Sequence, residues 1–174
     1  MLISITGTPG VGKTAVAMEL TKRGYKVRSL TDVAKEYSCI MDEEDGEYVV
    51  DVEKLSRIKI DGIVEGHLSH YLSADKVIVL RCNPLIVKTR LENRGWDYEK
   101  IMDNVEAELL DVILIEALEM EREVYEIDTT DKSVEEIANA VEDIIRGKFT
   151  EKYRPGKIDW LTELQDRLEE VVRL

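Results

Sequence analysis

One eight-residue stretch near the start of the chain constrains its fold more than any other. Residues 7–14 read GTPGVGKT, which matches the pattern G-x-x-x-x-G-K-[ST] in full. The apolar run LISIT at 2–6 precedes this stretch, and a helical pattern follows it. Glycines allow a tight loop whose N–H groups point at one anion, and the helix N-terminus adds its positive end. The sequence therefore predicts a phosphate-binding loop between a buried strand and a helix.

The residue types in this loop have expected roles toward a nucleoside triphosphate. Lys13 would reach the β- and γ-phosphates, and the hydroxyl of Thr14 would be a ligand of Mg²⁺. The residues expected to bind the nucleotide here are Gly10, Val11, Gly12, Lys13, Thr14 and Ala15.

The rest of the chain alternates short apolar runs with helical patterns. The further strand candidates are YKVRSL (25–30), DGIVEGH (61–67), KVIVLRC (76–82) and VYEIDTT (124–130). Because these runs are apolar almost throughout and are separated by helices, they predict an α/β fold. Its parallel sheet would be covered by helices on both faces.

Three other segments carry local predictions. One long helix capped by Asp97 is expected over 97–122, and a turn is expected at Asp45-Gly46 in an acidic stretch. The tail after Gly147 breaks at Pro155-Gly156. Beyond that break, apolar residues recur at helical spacing: Ile158, Leu161, Leu164, Leu168, and Val171 or Val172. The spacing predicts an amphipathic helix that packs on its own domain or touches a partner.

Composition narrows the function classes. The 174 residues fit one domain, and the formal net charge is −13. Phosphate backbones would repel such a chain, so we expect no direct binding to nucleic acid, whereas a basic protein partner suits it. We recognise no signal peptide or membrane-spanning run, and Cys39 and Cys82 stand far apart. These features predict a cytoplasmic protein with reduced thiols and no membrane insertion.

Polar residues follow the third strand candidate. Glu65 ends the apolar run, where an acidic group near Mg²⁺ or its waters is expected in such folds. His67 could hold or activate a water or a phosphate acceptor, or it could cap the next helix or bond to backbone. For His70, a surface or packing role is the preferred interpretation.

Two arginines and the last loop complete the candidates. Arg90 and Arg94 lie four residues apart and therefore on one helix face, where they could clamp transferring phosphates or be ordinary surface charge. The loop after the last strand can border the base in nucleotide-binding α/β folds. Asp128, Thr129 and Lys132 are the candidates for lining it.

These motifs, in this order, resemble a nucleoside monophosphate kinase and more narrowly the adenylate kinase isoenzyme 6 family, which is linked to assembly of the small ribosomal subunit. The resemblance covers about residues 1–146. It rests on GTPGVGKT, VVDVEKL, IVEGH and IDTT, and most specifically on the stretch from RLENRGW through KIMDNVEAE.

The resemblance implies a layout for the chain. A P-loop nucleotide kinase domain at 1–147 would hold five parallel strands in the order 2-3-1-4-5, with the phosphate loop after the central strand. A part that binds the monophosphate would lie at about 31–58 and a short lid at about 90–98. Residues 148–174 would form a C-terminal extension of the same domain.

The resemblance also implies an activity. ATP and Mg²⁺ would be used to phosphorylate AMP, giving two ADP, and ATP hydrolysis would accompany the transfer. Thr14 and Glu65 would hold Mg²⁺, directly or through water, and Arg90 would also contact the nucleotide. The implied catalytic residues are Lys13, Glu65, His67, Arg90 and Arg94.

Two departures from ordinary adenylate kinases concern the acceptor. The stretch EGHLSH at 65–70 has no arginine where those enzymes carry one that binds AMP. Lys35 stands where they have another arginine, and an ammonium group is a point charge rather than a bidentate fork. The alternative is another small-molecule or nucleoside monophosphate kinase without a ribosomal role. Among these, shikimate and gluconate kinases are disfavoured by the match of the lid region.

A protein partner is the last implication. The resemblance implies a complex with a basic small-subunit ribosomal protein of the S11 family, called S14 in eukaryotes. Trp96 and Trp160 are the large aromatic residues that could anchor such a partner if exposed, although each is more often a core residue. We expect the chain itself to be a monomer or a weak dimer.

Overall fold

The computed structural model describes residues 1–174. Its strands are β1 (Leu2–Thr6), β2 (Val27–Ser29), β3 (Ile40–Glu44), β4 (Glu47–Val50), β5 (Gly62–Glu65), β6 (Lys76–Arg81) and β7 (Glu123–Asp128). Its helices are α1 (Lys13–Lys22), α2 (Leu30–Glu36), α3 (Val52–Leu55), α4 (Pro84–Asn93), α5 (Tyr98–Leu109), α6 (Val112–Glu119), α7 (Val134–Ile145) and α8 (Trp160–Glu163). Short 3₁₀ turns lie at Ser69–Tyr71, Thr150–Tyr153 and Gln165–Glu170.

Five of the strands form one parallel sheet in the order β2-β5-β1-β6-β7. Counted along the chain within this sheet, the order is 2-3-1-4-5. The predicted sheet, its strand order and the central place of the strand before the phosphate loop are therefore confirmed.

The sheet is covered on both faces because its strands are apolar on both faces. Successive residues of β6 alternate between two buried clusters: Ile78 and Leu80 join one, and Val77 and Val79 join the other. Helices α1, α4, α5 and α7 contribute to the first cluster, and α2 and α6 contribute to the second. The central strand β1 is buried along its whole length, so the loop that follows it starts from a rigid support.

A two-stranded antiparallel hairpin, β3 with β4, lies outside the parallel sheet. The predicted turn at Asp45-Gly46 forms its tip, but the sequence did not predict the strands. Most of their side chains are exposed and many are acidic, so they carry neither an apolar run nor a clear alternation.

The single long helix expected over 97–122 is wrong, because the chain breaks between α5 and α6 at Asp111. Asp111 has a left-handed backbone (φ 58°), and its carboxylate pairs with the buried guanidinium of Arg81. The ion pair with the buried Arg81 requires Asp111 to point inward, and the helix is interrupted at this residue.

The amphipathic helix predicted for the tail is also wrong. The structure has only the four-residue α8 and a 3₁₀ turn that is interrupted at Arg167 (φ −136°). Several apolar side chains of the tail still face inward, since Tyr153, Trp160, Leu164 and Val171 join the same cluster as β1 and α7. Of the residues at the predicted spacing, Leu164 and Val171 are buried but Leu161 is 45% exposed, so the spacing indicated burial only in part.

Both cysteines are free thiols, as predicted, and both are buried. None of the helices combines the length and the apolar character needed to cross a lipid bilayer.

Candidate active site

The loop between β1 and α1 forms one wall of a cavity of about 550 Å³. One close approach and one left-handed backbone conformation set the shape of this loop. A Cβ atom on Gly7 would lie 2.6 Å from the carbonyl oxygen of Leu80, and Gly12 has a left-handed backbone (φ 107°) just before α1 begins. Residues from elsewhere in the chain complete the cavity: Glu47, Glu65, Gly66, His67, Arg94 and Trp96.

Lys13 is buried beside its own loop. Its Nζ donates hydrogen bonds to the carbonyl oxygens of Gly7 (2.7 Å) and Thr8 (3.1 Å). Burial lowers the pKa of Lys13 to about 8, although the negative charges of Glu65 and Glu108 act against that shift. The amine is therefore held at the cavity and stays mostly cationic near neutral pH.

The other loop residues divide into two groups. Gly10, Gly12, Thr14 and Ala15 line the cavity, and the side chains of Thr14 and Ala15 are exposed to it. Val11 is only 1% exposed, so a phosphate could meet only its backbone.

Glu65 and His67 lie at the end of β5, on the opposite side of the cavity from the start of α1. Burial raises the pKa of the half-buried Glu65, and the nearby Lys13 cation opposes that rise. The pKa of His67 is lowered, first because protein atoms displace water around the ring and then because of Lys13. The His67 side chain neither caps a helix nor bonds to backbone, so its ring stays available to the cavity.

His70 is fully buried rather than at the surface. Its Nδ1 lies 2.8 Å from the hydroxyl of Thr6, and its Nε2 lies 2.9 Å from a carboxylate oxygen of Glu116. The packing role considered for His70 is the one that the structure shows, because the ring joins the end of β1 to α6.

The structure separates the two arginines. Arg94 is exposed and lines the cavity beside Trp96. Arg90 lies behind the loop, where its Nη1 donates to the carbonyl oxygen of Gly10 at 2.8 Å. In this conformation Arg94 faces the cavity and Arg90 supports the loop.

The last loop does not reach the same cavity. The hydroxyl of Thr129 is buried within hydrogen-bond distance of the carbonyl oxygens of Val11 (3.0 Å) and Arg81 (2.9 Å). Lys132 donates to the carbonyl oxygen of Asp128 and lines a separate cavity between α7 and the tail. Contact of Thr129 and Lys132 with a base therefore stays a prediction.

A second cavity, of about 320 Å³, adjoins the first. It lies between α2, the β3–β4 hairpin and the end of β5, and it shares Glu47, Glu65, Gly66 and His67 with the loop cavity. Lys35 lies nearby, with its Nζ 4.9 Å from the centre of the Tyr48 ring.

An ion pair joins the hairpin to α5 above these cavities. Glu47 pairs with Lys100 at 2.8 Å, and the Lys100 Nζ lies 3.9 Å from the centre of the Trp96 ring. Lys100 thus contacts both a residue of the acceptor part and Trp96 of the lid.

The sequence reasoning missed the buried carboxylate that contacts the phosphate loop, Glu108 on α5. Its Oε2 accepts from the Thr8 hydroxyl (2.7 Å), and its Oε1 accepts from Arg81 Nε (2.9 Å) and Trp160 Nε1 (3.2 Å). A signal was present, because Glu108 shares the helix face of the buried Ile101 and Val105, at apolar spacing. A charged residue at such a position indicates a buried partner.

Comparison with known proteins finds a matching P-loop family and similar proteins from archaea. The profile of the family described as "AAA domain" matches residues 3–111. A protein of Archaeoglobus fulgidus named "Putative adenylate kinase" is 58% identical over 176 residues, which cover 99% of each chain. A protein of Methanocaldococcus jannaschii with the same name is 45% identical over 179 residues, which cover 97% of each.

Solved structures share the fold at low sequence identity. A deoxyadenosine kinase from M. mycoides with bound dATP superposes with a TM-score of 0.53 at 16% identity, covering 84% of this chain and 100% of that one. An uncharacterized protein from Eubacterium ventriosum gives a TM-score of 0.51 at 12% identity, covering 85% and 99%. These similarities concern the arrangement of the sheet and helices.

Proposed function

This chain belongs to the AAA-domain family of P-loop proteins, together with the archaeal relatives named "Putative adenylate kinase", and from this premise we propose that it transfers the γ-phosphoryl group of ATP to AMP. ATP hydrolysis is its second activity, with water in place of the acceptor.

One observation carries the proposal: two cavities adjoin at the end of β5 and share Glu65 and His67. The phosphate loop forms a wall of the first, which suits the donor triphosphate. Helix α2 and the hairpin form walls of the second, which suits an acceptor. A hydrolase that uses only water needs no second cavity of this size, whereas a transfer between two nucleotides requires donor and acceptor to meet.

The residues of the loop cavity are suited to stabilise the negative charge of the phosphoryl group that is transferred. Lys13 is positioned to stabilise negative charge between the β- and γ-phosphates, and Arg94 to stabilise it on the transferring group. No group of three or more His, Cys, Asp or Glu side chains could hold a metal by itself. Mg²⁺ would be held by Thr14 and Glu65 together with the nucleotide, where it would neutralise phosphate charge.

His67 is the candidate for positioning water in the hydrolysis reaction. The lowering of its pKa favours the neutral imidazole, and a neutral ring nitrogen accepts a hydrogen bond from water. Glu65 lies in the same cavity and supplies the negative charge there.

The acceptor side supports a second candidate. Lys35 is the basic residue beside the hairpin aromatic Tyr48, and it offers a single point charge to a monophosphate. Such a group distinguishes nucleobases poorly, so another nucleoside monophosphate is the alternative acceptor.

We further propose that the chain binds a basic ribosomal protein of the S11 family in a cytoplasmic setting. Its support is the net charge of −13 together with the family resemblance. Trp160 does not serve as an exposed anchor for that partner, because it is only 1% exposed, and Trp96 is half-buried.

Product analysis tests the transfer. With purified protein, ATP and Mg²⁺, AMP-dependent formation of two ADP per ATP consumed supports the kinase, and AMP-independent release of phosphate supports the hydrolase. Substituting CMP, UMP and GMP for AMP tests the alternative acceptor. Titration of the purified S11-family protein, with and without ATP at moderate salt, tests the partner.

A further inference from the structure

Helix α6 has an exposed apolar face that nothing in the chain covers. Val112, Ile115 and Leu118 recur every three residues and are 36%, 49% and 47% exposed. They lie opposite Leu114 and Ala117, which pack into the core. Singly exposed apolar residues are ordinary, but three on one helix face form a continuous stripe, as binding surfaces do. We name these three residues the α6 stripe.

The surroundings of the α6 stripe are acidic. Glu119 shares its exposed side of the helix, Glu121 follows directly, and neither forms an ion pair. Asp111 precedes the helix and is neutralised only by the buried Arg81. The nearest cation in sequence, Arg122, points its guanidinium at the hydroxyl of Ser73.

From these features we infer that the α6 stripe is a docking surface for a basic amphipathic segment of another protein. Apolar side chains of the partner would cover Ile115 and Leu118, and its lysines or arginines would lie beside Glu119 and Glu121. A second copy of this chain fits less well, because it would bring the same acidic border and another net charge of −13 to the contact.

The surface is independent of the phosphoryl-transfer proposal. It lies on α6, whereas the loop cavity is lined by the phosphate loop, α1, the end of β5, the hairpin and the lid turn. No stripe residue lines either cavity. Identifying the partner as the ribosomal protein would rest on the proposed function, but the inference itself states only the partner's chemistry.

The test uses a synthetic probe, a fluorescent helical peptide of sequence LKKLLKLLKKLLKL, with the matched peptide LEELLELLEELLEL as control. We expect the full-length protein to bind the lysine peptide and not the glutamate peptide, as measured by fluorescence anisotropy. The double variant Ile115→Ser/Leu118→Ser should weaken binding about tenfold or more, because it removes the apolar contact. Phe149→Ser, which alters a residue 73% exposed outside the stripe, should leave binding unchanged.

Charge-reversal variants and the oligomeric state of the protein provide the remaining tests of the docking surface. Glu119→Lys/Glu121→Lys should weaken binding mainly at low salt. Equal affinity of the stripe variant and the parent would overturn the inference, as would a parent dimer in sedimentation that the stripe variant abolishes. AMP-dependent ADP formation by the stripe variant, measured in parallel, reports on the proposed function separately.

Discussion

Thr8 and Trp160 donate hydrogen bonds to the same side chain, the buried carboxylate of Glu108. The Thr8 hydroxyl lies 2.7 Å from Oε2, and the indole nitrogen of Trp160 lies 3.2 Å from Oε1. Arg81 neutralises the carboxylate from a third direction. A residue of the phosphate loop and a residue of the tail are thus held in place through one charged group.

Thr8→Val should therefore lower the free energy of unfolding more than the loss of an exposed contact would. Valine keeps the shape of the side chain but leaves Glu108 Oε2 without its donor, which costs about 1–3 kcal/mol of unfolding free energy. Urea denaturation measures this loss. Thr8→Ser keeps the hydroxyl and should lose clearly less; equal losses in the two variants would show that the hydrogen bond contributes nothing.

Lys13→Ala should remove nucleotide turnover. The lysine is the cation held at the phosphate cavity by its own loop, and removing such a charge from the transition state costs about a hundredfold or more in rate. The matched control is Lys22→Ala, an exposed lysine on the same helix, which should retain parental activity. Turnover of Lys13→Ala within a few-fold of the parent would contradict this assignment.

The same lysine should make stability depend on pH. Its pKa is about 8 in the folded protein and 10.5 for an unperturbed lysine, so between these pH values the unfolded state binds more protons and stability rises with pH. Below about pH 8 the buried cation lowers the unfolding free energy by up to about 3 kcal/mol.

Lys13→Met removes that cost without a large change in side-chain size. Without nucleotide, the variant should be more stable than the parent at pH 7, and the difference should shrink as pH rises from about 8 toward 10.5. Thermal or urea unfolding at several pH values measures this. A constant difference across the range would mean that the lysine is not held in a desolvated position.

His67→Ala should reduce hydrolysis more than ATP binding. A group that positions water contributes about a hundredfold or more, whereas the phosphate loop is untouched by the change. Phosphate release and ATP affinity are measured on the same preparation. His67→Asn, which retains a hydrogen-bonding group, should recover part of the rate; parallel losses of rate and affinity would point to a structural role for the ring.

The sequence predicts the parts of this molecule whose side chains repeat a pattern. The apolar strands and the motif from Gly7 to Thr14 specify the sheet and its loop, because burial on both faces needs continuous apolar runs. The break at Asp111 depends on Arg81, a partner thirty residues away that no local pattern reveals. The placement of Arg90 behind the loop depends likewise on the carbonyl of Gly10.

The strands of the hairpin and the backbone of the tail were not predicted from the sequence, for a different reason. The hairpin exposes most of its side chains, so little burial marks its strands in the sequence. In the tail, the buried Leu164 and Val171 match the helical spacing, yet short irregular turns carry them. Trp160, which is buried against Glu108, is not among the residues at that spacing.

The contacts that join the phosphate loop to Leu80 and Glu108, and Glu108 to Trp160, set an order for the making of the protein. A ribosome would synthesise this loop well before its partners, since its glycine packs on Leu80, its threonine needs Glu108, and Glu108 is completed by Trp160. A nascent chain would therefore carry the nucleotide motif long before it could use it. Such a polypeptide gains a firmly held triphosphate loop only after Trp160 has been synthesised.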